Sequence, residues 1–428
     1  MKANVDIAII GAGPAGLAAA RTAARSGLRI ALVDDNPQAG GQVWRQGPGV
    51  AAASALRNTR PDWIGSPNVT HYASARVSAF ASPCEMIVDA QTHGGVSLSF
   101  AQLIIASGAR ERLLPFSGWT LPGVTGAGGV QALIKGGMPV RGERIVLAGS
   151  GPLLIAALAT ARAAGAHVAA VVEQAPWAAL LQFGLSLGAT PSKAWQAIRL
   201  TRGFAGTRYW PGSVVHKALG DGRVEAVVIR RGERVVTLEC DRIACGYGLV
   251  PNVALAQALG CVLADGAIHI DETQRTSVSG VWAAGECTGI GGMELARAEG
   301  EIAGLSASGQ RVPIDLLRTR DRWRRFAQRV ARSFELREQA RIGPSPETIL
   351  CRCEDVRFGD VAAYATWRDA KLHTRCGMGP CQGRVCGAAA QTYFGWDAAT
   401  PRPPLVPTRI GALMEARSDT QAGPDARL

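Results

Sequence analysis

The sequence predicts an α/β protein: two strand–turn–helix folds with glycine-rich turns, then a small cysteine-bearing domain at the C-terminus. Three observations predict it. Gly11-x-Gly13-x-x-Gly16 joins an apolar strand to an Ala-rich helix, a related turn recurs at Gly149-x-Gly151, and five of the ten Cys fall between positions 351 and 386. A chain of 428 residues, 47% hydrophobic and 19% charged, accommodates two to four domains and excludes a disordered protein. No uninterrupted apolar stretch reaches the roughly 18–20 residues of a spanning helix. The closest, Ile145 to Ala161, is broken by Gly149, Gly151 and Pro152.

The first element is the strand pattern Val5 to Ile10, which runs straight into the glycine turn and the helix opening at Pro14 and Ala15. Gly11 permits the tight turn, Gly13 lets a pyrophosphate approach the backbone, and Gly16 lets the helix pack close to the strand. A second strand, Leu28 to Val33, ends on Asp34, placed to accept hydrogen bonds from a ribose, while the helix N-terminus offers its amides to phosphates. The second unit, Arg144 to Leu154, is followed by a strand, Val168 to Val172, ending on Glu173. Its third glycine position is Leu154, whose side chain would push the helix from the strand or narrow the phosphate pocket, so the fold is expected to persist with nucleotide binding impaired. A second nucleotide there, NAD(P) or ATP, stays open.

Two later segments complete the first fold. Gln102 to Arg110 reads as a buried strand ending in small residues, including Ala106 and Gly108, where the chain crosses between domains. Thr276 to Cys287 reads as another strand, ending at Gly285 and Glu286. Together these segments resemble the flavoproteins with two Rossmann-like dinucleotide-binding domains of the pyridine nucleotide–disulfide reductase type. The resemblance implies FAD on the first fold, with the Gly285–Glu286 pair at the ribityl and diphosphate. It implies further contacts at Gly11, Gly13, Pro14, Ala15, Gly16, Asp34, Gly41, Gln42, Arg45, Ala106 and Gly108. The helix opened by Gly292 and Met293 is expected to point its positive end at the flavin. The family's reductases carry a redox disulfide, but Gly40-Gly-Gln-Val-Trp-Arg45 has no Cys. Cys240 and Cys245, on the strand pattern Val235 to Ala244, read as core thiols, and disulfide reduction is disfavoured.

The C-terminal cysteines have their own spacing: Cys351-x-Cys353, then Cys376-Gly-Met-Gly-Pro-Cys381-Gln-Gly-Arg-Val-Cys386. Four thiolates among Gly-rich turns suit a [2Fe–2S] cluster, and zinc is the alternative. The segment resembles the [2Fe–2S] domain named after bacterioferritin-associated ferredoxin. Matching its longer-spaced branch implies Cys351, Cys353, Cys381 and Cys386 as ligands, with Cys376 as a possible substitute.

The whole arrangement is similar to the A or α subunits of octopine and nopaline oxidases, hydrogen cyanide synthase and D-hydroxyproline or proline dehydrogenases. Beyond the first turn and the cysteines, the matching stretches are Gly40 to Arg45, Gly246 to Pro251, Ala284 to Glu286 and Gly289 to Gly292. The resemblance implies an FAD-dependent, electron-transferring subunit of a heteromeric amino-acid or opine dehydrogenase. An amine-oxidase-like flavoprotein β subunit would oxidise the C–N bond, and a small [2Fe–2S] γ subunit stays open as a further partner. The other readings are an NAD(P)H-dependent flavin oxidoreductase and a structural or regulatory nucleotide-binding subunit. No catalytic residue is named.

The expected division is an FAD-binding domain at 1–120 and 245–310, a second dinucleotide fold at 121–244, a basic helical linker at 311–344, a [2Fe–2S] domain at 345–400 and a Pro-rich tail at 401–428. In the linker, Leu316, Trp323, Phe326, Val330 and Phe334 recur at helical spacing, which reads as a helix packed on its own domain or on a partner. The last fifteen or so residues are expected to be mobile. The net charge of +12 is carried by only five Lys among 46 basic residues. No aromatic–basic reader motif accompanies it, so no nucleic-acid partner is expected. Asp6 and Pro14 do not suit a secretory signal, so a cytoplasmic protein is expected, with peripheral association at the inner face of the membrane left open.

Overall fold

The computed structural model describes residues 1–48, 66–201, 204, 206–397 and 400–418. The first sheet is built around Lys2–Ile10, which pairs in parallel with Ile30–Val33 on one side and Gly94–Ile105 on the other. Val69–Tyr72 extends the parallel edge, and Val281–Ala283 joins beside the end of Gly94–Ile105. Glu85–Ala90 and Ala75–Ser82 continue as an antiparallel meander. Alternation along the first strand sends Ile7 and Ile9 to the helix-covered face and Ala8 and Ile10 to the other core. On the helix face, Pro14–Ala24 lies against Met293–Ala307 almost backbone to backbone. A Cβ at Gly300 would overlap the Ala15 carbonyl, so this contact needs small residues on both helices.

The second fold is a parallel sheet of five strands, ordered Arg208–Trp210, His167–Glu173, Arg144–Gly149, Arg242–Gly246 and Val124–Gly126. The antiparallel strands Ser213–Leu219, Ala226–Arg231 and Arg234–Glu239 pack beside it. Cys240 therefore lies in the turn between two strands, not within one running from Val235 to Ala244. The boundary expected at residue 245 also moves. The strand stays in the second sheet through Gly246, which pairs with Gly149, before the chain returns. Two antiparallel crossover strands, Ala109–Glu111 and Leu249–Pro251, join the domains. The strand expected over Thr276 to Cys287 shortens to Val281–Ala283, because only those residues find a partner in the sheet.

The main element of the linker is the helix Ile314–Ser333, which packs on Met293–Ala307 and on Trp177–Ser186 and is followed by the short helix Glu338–Arg341. Trp323 is buried, and Lys193 lies over the rings of Trp323 and Phe326. The apolar stripe thus covers its own domain.

The C-terminal domain pairs Ile349–Cys351 with Val356–Arg357 and adds the helices Phe358–Ala362, Trp367–Thr374 and Cys386–Phe394 around Leu350, Val361 and Trp367. It docks on the segment after the crossover. Trp119 Nε1 donates to the Ile349 carbonyl at 2.6 Å and Tyr393 Oη to that of Pro115 at 3.1 Å. The tail then straps it to the first sheet, while the end expected to be mobile falls mostly on residues outside the described ones. Leu405 N donates to Ser78 O at 2.7 Å, Arg409 pairs with Asp89 at 2.6 Å, and Gly95 N donates to Glu415 at 2.6 Å. Polar anchors this far apart along the chain leave no local pattern. Residues 419–428 of the expected tail lie outside the described residues. Among the described residues no helix is long and apolar enough to cross a membrane.

Candidate flavin site, second nucleotide turn and cysteine centre

The first turn gathers every segment expected at a flavin. Gly13 caps the helix Pro14–Ala24 in an extended conformation. Asp34, only 5% exposed, accepts from the amides of Ala12 and Asn36. Gly40 N donates to Ala12 O at 2.8 Å, which lays the Gly40–Arg45 loop over the turn. There Arg45 is held by Gln42 at 2.9 Å and Asn36 at 3.2 Å. A Cβ at Gly13 would have its nearest neighbour, the Gly41 Cα, at 3.9 Å, whereas one at Gly41 would come within 2.9 Å of the Gly13 Cα, so the loop lies close against the turn while Gly13 keeps clearance. Ala106 N donates to Ile10 O at 2.8 Å, and Ala284 N to Ile105 O at 3.0 Å. These bonds bring Ala106, Gly108, Gly285 and Glu286 to the same sheet end. Burial raises the Glu286 pKa, and the Gly292 amide opposes that shift. Gly292, with φ +82°, caps the helix Met293–Ala307, and Met293 packs on the core around Ala12 and Ala15.

One residue of this site was not legible in the sequence. Glu299, 2% exposed, accepts from Gly285 N at 3.0 Å and from Thr288 Oγ1 at 2.9 Å, and pairs with Arg324 of the linker helix at 3.1 Å. Burial raises its pKa, while Arg324 and these donors hold it down. It fixes the Gly285–Thr288 loop. The available signal was a carboxylate on a helix face of small residues that otherwise packs against Ala15.

The second turn is built like the first. Glu173, 1% exposed, accepts from Gly151 N at 2.8 Å and Ala175 N at 2.9 Å. Leu154 does not push the helix away. It is 1% exposed within the core around Ile145, Ala157 and Leu158. What covers the turn is the end of the linker. The Phe334 side chain lies 3.7 Å from where a Gly151 Cβ would be. Ser150 Oγ donates to Phe334 O at 3.0 Å and Gln174 Nε2 to Glu335 O at 3.1 Å, while Arg337 N donates to Gln174 Oε1 at 2.9 Å. The chain's own segment Phe334 to Arg337 thus lies over the second turn.

Burial pushes the Glu173 pKa from 4.5 up to about 7, with the amides of Ala175 and Gly151 opposing it. The folded chain therefore holds a proton that the unfolded chain has lost between these values. Stability is expected to be highest below the unfolded pKa and to fall as pH rises through about 7. The loss is roughly 3 kcal/mol at most. Urea unfolding at pH 5 and pH 8 checks this. Glu173→Gln should show a flatter pH dependence, and equal slopes in both proteins would refute the assignment.

In the C-terminal domain the Sγ atoms of Cys351, Cys376 and Cys386 all lie within 4.8 Å of one another, and the three residues are buried. Two of the four ligands implied by the resemblance are in this triad. The other two, exposed Cys353 and half-buried Cys381, interact with each other instead. A Cβ at Gly379 would overlap that of Cys353, so this loop folds tightly onto the Cys351-x-Cys353 segment. Five thiols thus lie in one small domain, three of them together and two paired close by, a donor set that fits an iron–sulfur cluster or a closed zinc site. By contrast, Cys240 and Cys245 are buried in the second-fold core. Burial raises both thiol pKa values, that of Cys240 to about 12, which makes them unreactive.

The cysteine loop touches the crossover directly. Arg110 Nε donates to Arg384 O at 3.0 Å, and Arg110 Nη1 donates to Pro251 O at 3.2 Å and Asn252 Oδ1 at 3.1 Å.

This two-fold plan with crossover strands agrees with the comparisons. The family model described as pyridine nucleotide-disulphide oxidoreductase matches residues 5–301. The chain belongs to this family. As a pyridine nucleotide-disulphide oxidoreductase it has curated relatives along nearly its whole length. It is 34% identical to the opine oxidase A-chain subunit of Rhizobium meliloti (strain 1021), covering 96% of this chain and 98% of that one. It is 31% identical to the HcnB subunit of hydrogen cyanide synthase from Pseudomonas aeruginosa, with the same coverage. The branch expected from the motifs is thereby borne out. The crystal structure of L-proline dehydrogenase from P. horikoshii shares the fold at a TM-score of 0.66 and 19% identity, over 96% of this chain and 80% of that one. In this oxidoreductase the clearance at Gly13, the buried Asp34 and the two helix N-termini fit FAD.

Proposed function

We propose that this chain is the electron-transferring FAD and [2Fe–2S] subunit of a heteromeric amino-acid or opine dehydrogenase, with C–N oxidation on an amine-oxidase-like flavoprotein partner. The observation that carries the reading is the contact between the flavin-side crossover and the cysteine loop, made by Arg110 on the Arg384 carbonyl. Relatives of nearly equal length are named as oxidase and synthase subunits, which supports a partner chain. When bound, FAD supplies two-electron chemistry and an iron–sulfur cluster carries single electrons.

The chain's own residues set the conditions for that exchange. Gly11 to Gly16 and Asp34 would hold the dinucleotide, and Arg45 would flank it beside the turn. The helix opened by Gly292 would offset negative charge on the reduced cofactor. The C-terminal thiolates would hold the cluster against the crossover.

Against the NAD(P)H-dependent reading stands the Phe334 segment on the second glycine turn, which crowds the approach to Gly151. The isolated chain is therefore expected neither to oxidise amino acids nor to be rapidly reduced by NADH or NADPH. Mixed anaerobically with its partner and the substrate, it should bleach at both flavin and cluster bands. Fast reduction of the lone chain by a nicotinamide in stopped flow would transfer support to the reductase reading.

A further inference from the structure

Arg110 sits where three segments meet. It follows Gly108 on the crossover strand Ala109–Glu111 and is half-buried. Its guanidinium grips the returning crossover through Pro251 O and Asn252 Oδ1, and through Nε it holds the carbonyl of Arg384. The two crossovers are themselves bound rigidly, with Asn252 Nδ2 donating to Ser107 O at 3.0 Å and Ser107 Oγ to Asn252 O at 2.7 Å. Arg384 lies between Cys381 and Cys386, and its own guanidinium is tied to Leu405 O at 2.9 Å. Two cationic groups thus flank the loop that carries these cysteines. A negative charge on Cys381 would raise the pKa of both guanidiniums. Cys386 belongs to the buried triad and to the quartet implied by the resemblance, so the contact bears on the centre whichever of Cys376 and Cys381 is a ligand.

We propose that Arg110 is a positioning residue that fixes the cysteine loop against the flavin-side crossover and, with Arg384, raises the reduction potential of the cluster held there. This rests on the iron–sulfur reading above. A [2Fe–2S] core with four thiolates carries a formal charge of −2 when oxidised. One electron takes it to −3 with no bond made or broken, so a nearby cation favours the reduced form. A partly desolvated guanidinium acts more strongly than one in water. Arg cannot shed its proton at working pH, so the field is constant.

The test is an equilibrium redox titration of the full-length chain, followed by the electron paramagnetic resonance signal of the reduced cluster. Arg110→Gln removes the charge and is expected to disfavour cluster reduction about tenfold, which for a one-electron couple is a shift of about 59 mV to more negative potential. Arg110→Lys keeps the charge and should recover most of that shift, which a merely structural role would not produce. If Arg110→Gln loses its cluster, Arg384→Gln carries the measurement. It removes the second charge, leaves the backbone carbonyl that Arg110 holds, and should shift the potential in the same direction. A cluster-replete Arg110→Gln with the wild-type potential overturns the proposal alone. Wild-type protein that holds no iron and sulfide overturns the iron–sulfur reading, and this proposal with it.

Discussion

Gly13→Asp is expected to purify folded and colourless. A Cβ at Gly13 would find 3.9 Å of clearance to its nearest neighbour, and the residue's φ of −78° suits any L-amino acid, so the protein tolerates the side chain. The cofactor does not. The carboxylate would stand where the pyrophosphate approaches the helix N-terminus, and two like charges about 4 Å apart repel by about 4 kcal/mol at the effective dielectric of a protein surface. That corresponds to a loss of affinity on the order of a thousandfold. The check is the ratio of flavin to protein absorbance after reconstitution with excess FAD, beside a thermal melt. A yellow Gly13→Asp protein, or a wild-type protein that folds but takes up no flavin, would refute the site. Gly16→Ala should behave differently. Its Cβ would overlap the Gly11 carbonyl, so that variant should lose stability as well as flavin.

Cys386→Ser should remove most of the iron and inorganic sulfide from anaerobically purified protein. Cys386 is common to the quartet Cys351, Cys353, Cys381 and Cys386 and to the buried triad with Cys376. Parallel Cys376→Ser and Cys381→Ser variants then separate the two ligand sets, since only the true ligand should strip the cluster. Cys240→Ala, in the core of the second fold, should keep iron and sulfide at wild-type levels. Stoichiometric zinc without sulfide in the wild-type protein would overturn the iron–sulfur assignment. A four-thiolate centre in a domain this small also contributes to its folding, so Cys386→Ser is expected to melt earlier than wild type.

Much of this protein was determined by its sequence alone. The strand, the glycine turn, the helix and the terminal acid at Asp34 are consecutive, and each residue type there answers a local backbone demand. Gly16 must be glycine because the Gly11 carbonyl lies beneath it, and such a demand is written within six residues. The same holds for the second turn and for the close spacing of the C-terminal cysteines. Family membership followed from these short motifs in order.

Only the tertiary structure decided how the parts bear on one another. The cover over the second turn is Phe334, 184 residues beyond the Ser150 hydroxyl that holds it. The bond joining the crossover to the cysteine loop spans 274 residues. Glu299 could be read as a helix surface charge until Arg324 and Gly285 closed on it, and Cys376 entered the buried triad through the fold of its loop. The physical reason is common to all four. A turn is specified by the torsions and excluded volume of neighbouring residues, which sequence displays directly. A contact between distant segments depends on which faces packing brings together, and any Phe, Arg or Glu reads the same along the chain until that packing gives it a partner.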